Sequence, residues 1–219
     1  MYNVSNTRKG GRHMELNMQE ALRYLGAQSP DAALLTGLTA LAEELQSRIT
    51  PRFTWALTDT AELALPGQLA QRMLADCPRS AVLVCTLGAE FDRWMRQLSA
   101  RDMARAVMLD ALGSVYVEAG CDAAENAIRA RFPGKHLTDR FSPGYGDLPL
   151  DVQPRLLESA GAGRIGVAVT DTLMMTPQKS VSAIVGIADA PQPARVRGCA
   201  HCALNKTCPY RKAGATCHV

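Results

Sequence analysis

One long helix-forming segment in the middle of the chain limits the possible folds more than any other feature. The sequence RDMARAVMLDALGSVYVEAGCDAAENAIRARF occupies residues 101–132, and Ser99 is its expected N-cap. Pro133 and Gly134 are expected to end it, because proline cannot continue a helix and glycine favours the turn that follows. Small residues along the segment, such as Gly113, predict close packing against a neighbouring element.

Short apolar strands lie on either side of this segment. SAVLVCTLG (80–88) is a continuous apolar run that ends at glycine, which predicts a buried strand. RFTWALT alternates Phe53, Trp55 and Leu57, and RIGVAVT and KSVSAIVGI predict two more strands separated by DTLMMTPQ. Because the strands are few and the helices irregular in length, we expect an α+β fold. Its sheet would be mixed or antiparallel, twisted, and flanked by helices.

Residues typical of helix ends predict two of the shorter helices. NMQEALRYL (17–25) is followed by Gly26, a typical residue after a helix end. The next helix has Ser29 as expected N-cap, Pro30 at its first position and Asp31 in its first turn. A further short helix is expected near residues 152–160.

Composition excludes several classes of protein. The chain has 219 residues, 47% hydrophobic content and a net charge of +3 with scattered basic residues, which does not suggest nucleic-acid binding. No run of about 18 apolar residues predicts a membrane span, and the polar, basic start lacks the apolar core of a secretory signal. We therefore expect a cytoplasmic protein without nucleic-acid or membrane partners.

The chain divides into three expected parts. Residues 1–14 would be a disordered leader or residues left from expression, with Met14 as an alternative initiator. Residues 15–190 would form one domain, helical in its N-terminal part to about residue 76. Residues 191–219 would form a linker and a small cysteine-rich tail, because Pro191 and Pro193 precede the cysteine cluster.

Four of the seven cysteines are concentrated in that tail. Cys199, Cys202, Cys208 and Cys217 give the spacing C-x2-C-x5-C-x8-C, which without an export signal predicts a metal site rather than disulfides. Four thiolates suit either zinc or a 4Fe–4S cluster. The spacing differs from a zinc ribbon, and the Cys-Pro step favours the cluster; zinc or redox thiols are the alternatives.

Motifs of the common enzyme classes are absent from the sequence. It contains no G-x-G-x-x-G, P-loop, H-E-x-x-H or G-x-S-x-G, and its histidines are not paired with carboxylates. We therefore assign no catalytic residue.

The segment RFSPGYGDLP (140–149) is the best candidate for a binding site. Arg140 offers a planar fork that can hold a carboxylate. Gly144 and Gly146 let the backbone approach a flat ligand, and Tyr145 supplies a ring face and a hydroxyl. Such chemistry suits a small zwitterion with an aromatic ring; an ordinary surface loop is the alternative.

Read together with its downstream neighbours, this segment resembles the activation domain of cobalamin-dependent methionine synthase. The family carries an R-x-x-P-G-Y loop, followed by a strand, a Thr-acidic-Ser/Thr turn with Met and Pro, and a strand beginning Ser-Val-Ser. The matching residues of this chain are Arg140, Pro143, Gly144, Tyr145, Thr170, Asp171, Thr172, Met174, Met175, Pro177 and Ser180 to Ser182. The likeness covers residues 80–190 well and 15–80 more loosely, and the chain lacks the homocysteine, folate and corrinoid modules of the fused enzyme.

The resemblance implies a free-standing relative of that domain. It would bind S-adenosylmethionine through Arg140, Pro143, Gly144, Tyr145 and Gly146, with Asp139 or Asp147 as partner of the ligand's ammonium group. It would support reductive methylation of a cob(II)alamin methionine synthase, with flavodoxin or ferredoxin as electron donor. The alternative is an iron–sulfur or zinc protein that docks on or reduces a corrinoid protein without binding S-adenosylmethionine itself.

Overall fold

A computed structural model describes residues 8–9, 14–27, 29–193, 206–207 and 212 of the chain. The helices are α1 (Met18–Tyr24), α2 (Ala32–Arg48), α3 (Gln68–Leu74), α4 (Ala89–Ser99), α5 (Met103–Arg131) and α6 (Gln153–Ala160). The strands are β1 (Arg8–Lys9), β2 (Arg52–Asp59), β3 (Arg79–Thr86), β4 (His136–Leu137), β5 (Ala168–Val169), β6 (Met175–Thr176) and β7 (Ser180–Ala188). Short 3-10 turns lie at Thr60–Leu63, Leu150–Val152 and Ala162–Ile165.

The main sheet has five strands in the order β1-β2-β3-β7-β4, and every neighbouring pair is antiparallel. The predicted α+β fold is confirmed, and of the two expected sheet types the antiparallel one is found. RIGVAVT forms less strand than expected: only β5 pairs, in a separate two-stranded sheet with β6.

Both faces of the sheet are covered by helices, which explains why β3 is apolar throughout. Alternate side chains of a strand point to opposite faces. Leu83 and Cys85 lie in one core with residues of α1, α2, α4 and α5. Val82 and Val84 lie in a second core with residues of α3 and α6. The central strands are thus buried on both sides, and the sheet is the middle of three layers.

The small residues of α5 allow the close packing expected from the sequence. A Cβ atom on Gly113 would lie 2.4 Å from Cζ of Phe91 on α4. A Cβ atom on Gly120 would lie 2.5 Å from Sγ of Cys85 on β3. Larger side chains at these two positions would separate α5 from its neighbours.

Two predicted helix starts are wrong by a few residues. Asp31, not Ser29, is the N-cap of α2, and its carboxylate accepts a hydrogen bond from Leu34 N at 2.7 Å. Asp102, not Ser99, caps α5 and accepts from Arg105 N at 3.0 Å, while Ser99 is the last residue of α4. An aspartate can make the same cap as a serine, so a serine nearby in sequence is a weak marker of a helix start.

The two ends of the chain are described only in part. Arg8 and Lys9, in the expected leader, pair with Phe53 and Arg52 of β2. The four tail cysteines, Cys199, Cys202, Cys208 and Cys217, lie outside the described residues. Cys77, Cys85 and Cys121 are buried. Within the described part of the chain, no helix combines the length and apolar character needed to cross a membrane.

Candidate functional site

The segment before the candidate loop is held along the edge of β7. Thr138 N donates to Gly186 O at 3.0 Å, and Gly186 N donates to Thr138 Oγ1 at 2.9 Å. Phe141 and Ile184 exchange two backbone hydrogen bonds of 3.1 and 2.8 Å. The loop therefore leaves the sheet from a fixed point immediately after Phe141.

Two successive turns fold the loop back on itself. Tyr145 N donates to Ser142 O at 3.1 Å, and Leu148 N donates to Tyr145 O at 3.1 Å. Gly144 and Gly146 have φ of +84° and +59°, a region that glycine adopts without steric cost. Leu148 is buried in the second core, while the Tyr145 side chain is 41% exposed. The loop thus presents an aromatic ring and glycine backbone to solvent from a rigid base.

Asp147 ties this loop to the N-terminus of α3. Its carboxylate accepts hydrogen bonds from Gln68 N at 2.6 Å and Leu69 N at 3.0 Å. The hydrogen bonds from Leu69 and Gln68 lower the pKa of Asp147. The expected role of Asp147 as a partner for a ligand ammonium stays a prediction, but its carboxylate already has two backbone donors in this structure.

The Arg140 side chain contacts α5, where three carboxylates surround it. Nη1 donates to Asp122 Oδ1 and Glu125 Oε1, both at 2.6 Å, and Nη2 donates to Glu118 Oε2 at 2.5 Å. The Arg140 side chain is 10% exposed and that of Glu125 is 11% exposed. Burial alone would lower the pKa of Arg140, but interactions with Cys121, Glu118 and the other carboxylates raise it above its ordinary value. We call Arg140, Glu118, Asp122 and Glu125 the α5 ion cluster.

The three acidic members of the α5 ion cluster were not predicted from the sequence. Glu118, Asp122 and Glu125 are spaced i, i+4 and i+7, so they share one face of α5. That spacing was visible in the sequence. Their relation to Arg140 was not, because it depends on β4 and the following residues running past the C-terminal half of α5.

The turn of residues 170–177, which resembles the family's Thr-acidic-Ser/Thr turn with Met and Pro, is anchored to β7 close to the loop. Ser182 Oγ donates to Gln153 Oε1 at 3.2 Å, and Gln153 Nε2 donates to Leu173 O at 2.6 Å. Ser182 is two residues before Ile184, which pairs with Phe141. The loop and the turn are thus attached to neighbouring positions of one strand.

The remaining predicted residues of that turn and of the loop are mostly at the surface. Thr170 Oγ1 and Thr172 Oγ1 are 2.9 Å apart, and Met174 N donates to Thr170 Oγ1. Met175 packs partly on the second core, whereas Met174 is exposed. Asp139 is half-buried, Pro143 and Pro177 are buried, and Asp171 is exposed.

The predicted metal site cannot be placed on this structure. Its four cysteines are outside the described residues, and among the described residues no three or more His, Cys, Asp or Glu side chains are grouped to hold a metal ion.

Comparison with known proteins identifies the fold. No protein-family profile and no curated protein sequence matches the chain. Among solved structures, a crystal structure of the MetH reactivation domain bound to AdoHcy matches with a TM-score of 0.63 and 14% sequence identity. The match covers 98% of this chain and 87% of that chain. The activation-domain-like fold implied by the RFSPGYGDLP segment and its downstream neighbours is therefore confirmed: this chain has the fold of the MetH reactivation domain.

Proposed function

We propose that this protein binds S-adenosylmethionine at the loop of residues 140–149 and supports the reductive reactivation of a corrinoid methionine synthase. The observation that carries the proposal is the fold match over nearly the whole chain, to a domain whose structure is bound to AdoHcy. The R-x-x-P-G-Y sequence of the loop and its anchored glycine turns add to this support.

The α5 ion cluster has the charge that such a ligand requires. Arg140 and the more distant Arg129 face three carboxylates, which leaves a surplus of one negative charge beside the loop. S-adenosylmethionine carries a sulfonium and an ammonium group, so its reactive end is cationic. Glu118 and Asp122, the more exposed members, are the carboxylates best able to face it.

Arg140 keeps donors that a ligand carboxylate could use. A guanidinium has five N–H donors in a planar fork. The three contacts of the α5 ion cluster use two N–H groups of Nη1 and one of Nη2. Among the described residues, none accepts from the Nε–H or from a second Nη2–H, and such a pair of donors suits a bidentate contact with a carboxylate.

The protein's contribution to the reaction would be positioning. The methyl group would pass from the sulfonium to the reduced cobalt of the partner's corrinoid, with one electron from an external donor and S-adenosylhomocysteine as leaving group. Orientation of two reactants can supply roughly 7–11 kcal/mol of the barrier without an acid–base residue. This agrees with the absence of enzyme motifs from the sequence.

Calorimetric titration of S-adenosylmethionine into anaerobically prepared protein tests the binding step. Arg140→Lys keeps the positive charge of the ion cluster but removes the planar fork, and Tyr145→Ala removes the exposed ring. We expect each to weaken binding at least tenfold. Leu35→Ala is the control, since Leu35 is a similarly exposed large side chain on α2, and it should bind as wild type does. Lack of binding by the wild-type protein, alone and with a corrinoid methionine synthase, would refute the proposal.

We further propose that the tail cysteines bind a 4Fe–4S cluster or zinc, the cluster being favoured by the Cys208-Pro209 step. Metal analysis of anaerobically purified protein distinguishes the two. About four iron atoms per chain and loss of iron in Cys202→Ser would support the cluster, one zinc would support the alternative, and neither metal would refute a metal site.

A further inference from the structure

Gln153 lies just after the candidate loop and is buried. The loop of residues 140–149 is followed by the 3-10 turn Leu150–Val152, and Gln153 is the first residue of α6. Only 4% of Gln153 is exposed. Glutamine is rarely so buried, and a buried amide group needs hydrogen-bond partners. The partners of Gln153 therefore indicate why a glutamine is placed there.

The amide group of Gln153 connects two elements of the candidate site. Ser182 Oγ, on β7, donates to Oε1 at 3.2 Å, and Nε2 donates at 2.6 Å to Leu173 O in the turn of residues 170–177. Because Ser182 and Ile184 are two residues apart on one strand, they lie on the same side of the sheet. The chain thus enters the loop beside Ile184 and returns, through Gln153, to Ser182. This second attachment also holds the turn.

The hydrogen bond from Gln153 reaches a residue with an unfavourable backbone conformation. The φ of Leu173 is +64°, in the left-handed region that a residue with a Cβ atom adopts only at a cost in free energy. Within the turn, Leu173 N donates to Thr170 O and Thr170 N donates to Met174 O, both at 2.9 Å. Residues in this region persist where their surroundings fix them, and they are concentrated at functional sites.

We propose that Gln153 is a positioning residue of the ligand site: by holding Leu173 O, it fixes the turn beside the loop, so that turn and loop form adjoining walls of one site for S-adenosylmethionine. The inference rests on the proposed function and extends it, because it adds the turn to the site. The turn presents the exposed hydroxyl groups of Thr170 and Thr172, which suit the hydroxyl and amine groups of such a ligand. Without the contact from Gln153, Leu173 would leave the left-handed region and the turn would lose its position.

The test measures S-adenosylmethionine affinity by calorimetry, and amide hydrogen exchange of the turn, in the full chain. Gln153→Met keeps the length of the side chain but removes both hydrogen bonds. In Gln153→Met/Leu173→Gly, glycine adopts the left-handed conformation without help from Gln153. Thr54→Val is the matched control, because Thr54 is buried and its Oγ1 donates at 2.9 Å to Ala160 O, at the other end of α6. It removes a comparable hydrogen bond without touching the turn.

We expect Gln153→Met to bind at least tenfold more weakly than wild type and to exchange the amides of the turn faster, whereas Thr54→Val changes neither. The double variant should bind at least threefold more tightly than Gln153→Met, a recovery that a purely structural role of Gln153 would not produce. Wild-type affinity or unchanged exchange in Gln153→Met, equal weakening in Thr54→Val, or no recovery in the double variant would overturn this inference and leave the proposed function intact. Absence of binding by the wild type, alone and with a corrinoid methionine synthase, would refute the proposed function and this inference with it.

Discussion

Substitution of Arg140 by methionine should destabilise the protein strongly, because it would leave Glu125 with only one, more distant cation. Glu125 is 11% exposed and 2.6 Å from Arg140 Nη1. Removing one partner of a buried ion pair costs about 3–5 kcal/mol. The contacts with Glu118 and Asp122 add little, since exposed ion pairs contribute about 0–1 kcal/mol each. We therefore expect a loss of about 3 kcal/mol in the free energy of unfolding.

Thermal and urea unfolding measure this loss, and two further variants locate its origin. For a domain of this size, 3 kcal/mol corresponds to a decrease of about 6–12 °C in Tm. Arg129→Met is the matched control, because Arg129 pairs with the same Glu125 carboxylate at 3.5 Å but is 55% exposed. It should cost at most about 1 kcal/mol.

Neutralising the carboxylate should relieve the loss if buried charge is its cause. The double variant Arg140→Met/Glu125→Gln should recover about 2 kcal/mol relative to Arg140→Met alone, because the remaining buried group is then uncharged. A loss below 1 kcal/mol in the single variant, or no recovery in the double variant, would refute the electrostatic reasoning.

Four other substitutions test the packing and the loop. Gly113→Ala should lower the free energy of unfolding by about 1–2 kcal/mol, since the clash with Phe91 outweighs the higher helix propensity of alanine. Gly37→Ala, in the middle of α2 where a Cβ atom has room, should instead raise the free energy of unfolding by about 0.5–1 kcal/mol. Thr138→Val should cost about 1–3 kcal/mol, because it leaves the buried Gly186 N–H without its acceptor. Asp147→Ala should lower Tm at neutral pH, and the difference from wild type should shrink as the pH falls below the ordinary pKa of the carboxyl group. The carboxylate's pKa is depressed in the folded state, so its contribution is present above the ordinary pKa of about 3.9 and is lost as the group protonates. A difference that does not shrink on acidification would contradict this account.

The strands and the long helix were predictable because their signals are local. The alternation of Phe53, Trp55 and Leu57 places three large side chains in one core. The continuous apolar run of β3 reflects burial on both faces. Pro133 and Gly134 follow directly after the end of α5, where proline and glycine were expected to stop it. Each of these features is decided by residues within one segment.

Short strands and helix starts were less predictable because tertiary contacts decide them. RIGVAVT has strand-forming residues, but Ala162–Ile165 forms a 3-10 turn, and only Ala168–Val169 finds a strand partner. At the start of α5, both Ser99 and Asp102 can act as caps. The choice of Asp102 follows from α4 continuing through Ser99, which the local sequence does not reveal.

Arg140 shows most clearly where sequence reasoning about the site is incomplete. From its motif alone, Arg140 has a single role as a carboxylate clamp. In the fold it also neutralises Glu125 and joins the loop to α5 through three contacts. Loss of ligand binding in Arg140→Ala would therefore not identify a clamp, because the loop could lose its position at the same time. Arg140→Lys separates the two roles: a lysine can still pair with the carboxylates of the α5 ion cluster, but it cannot make the planar bidentate contact. Weak binding with wild-type Tm would assign Arg140 to the ligand, whereas parallel losses in binding and Tm would assign it to the structure of the loop.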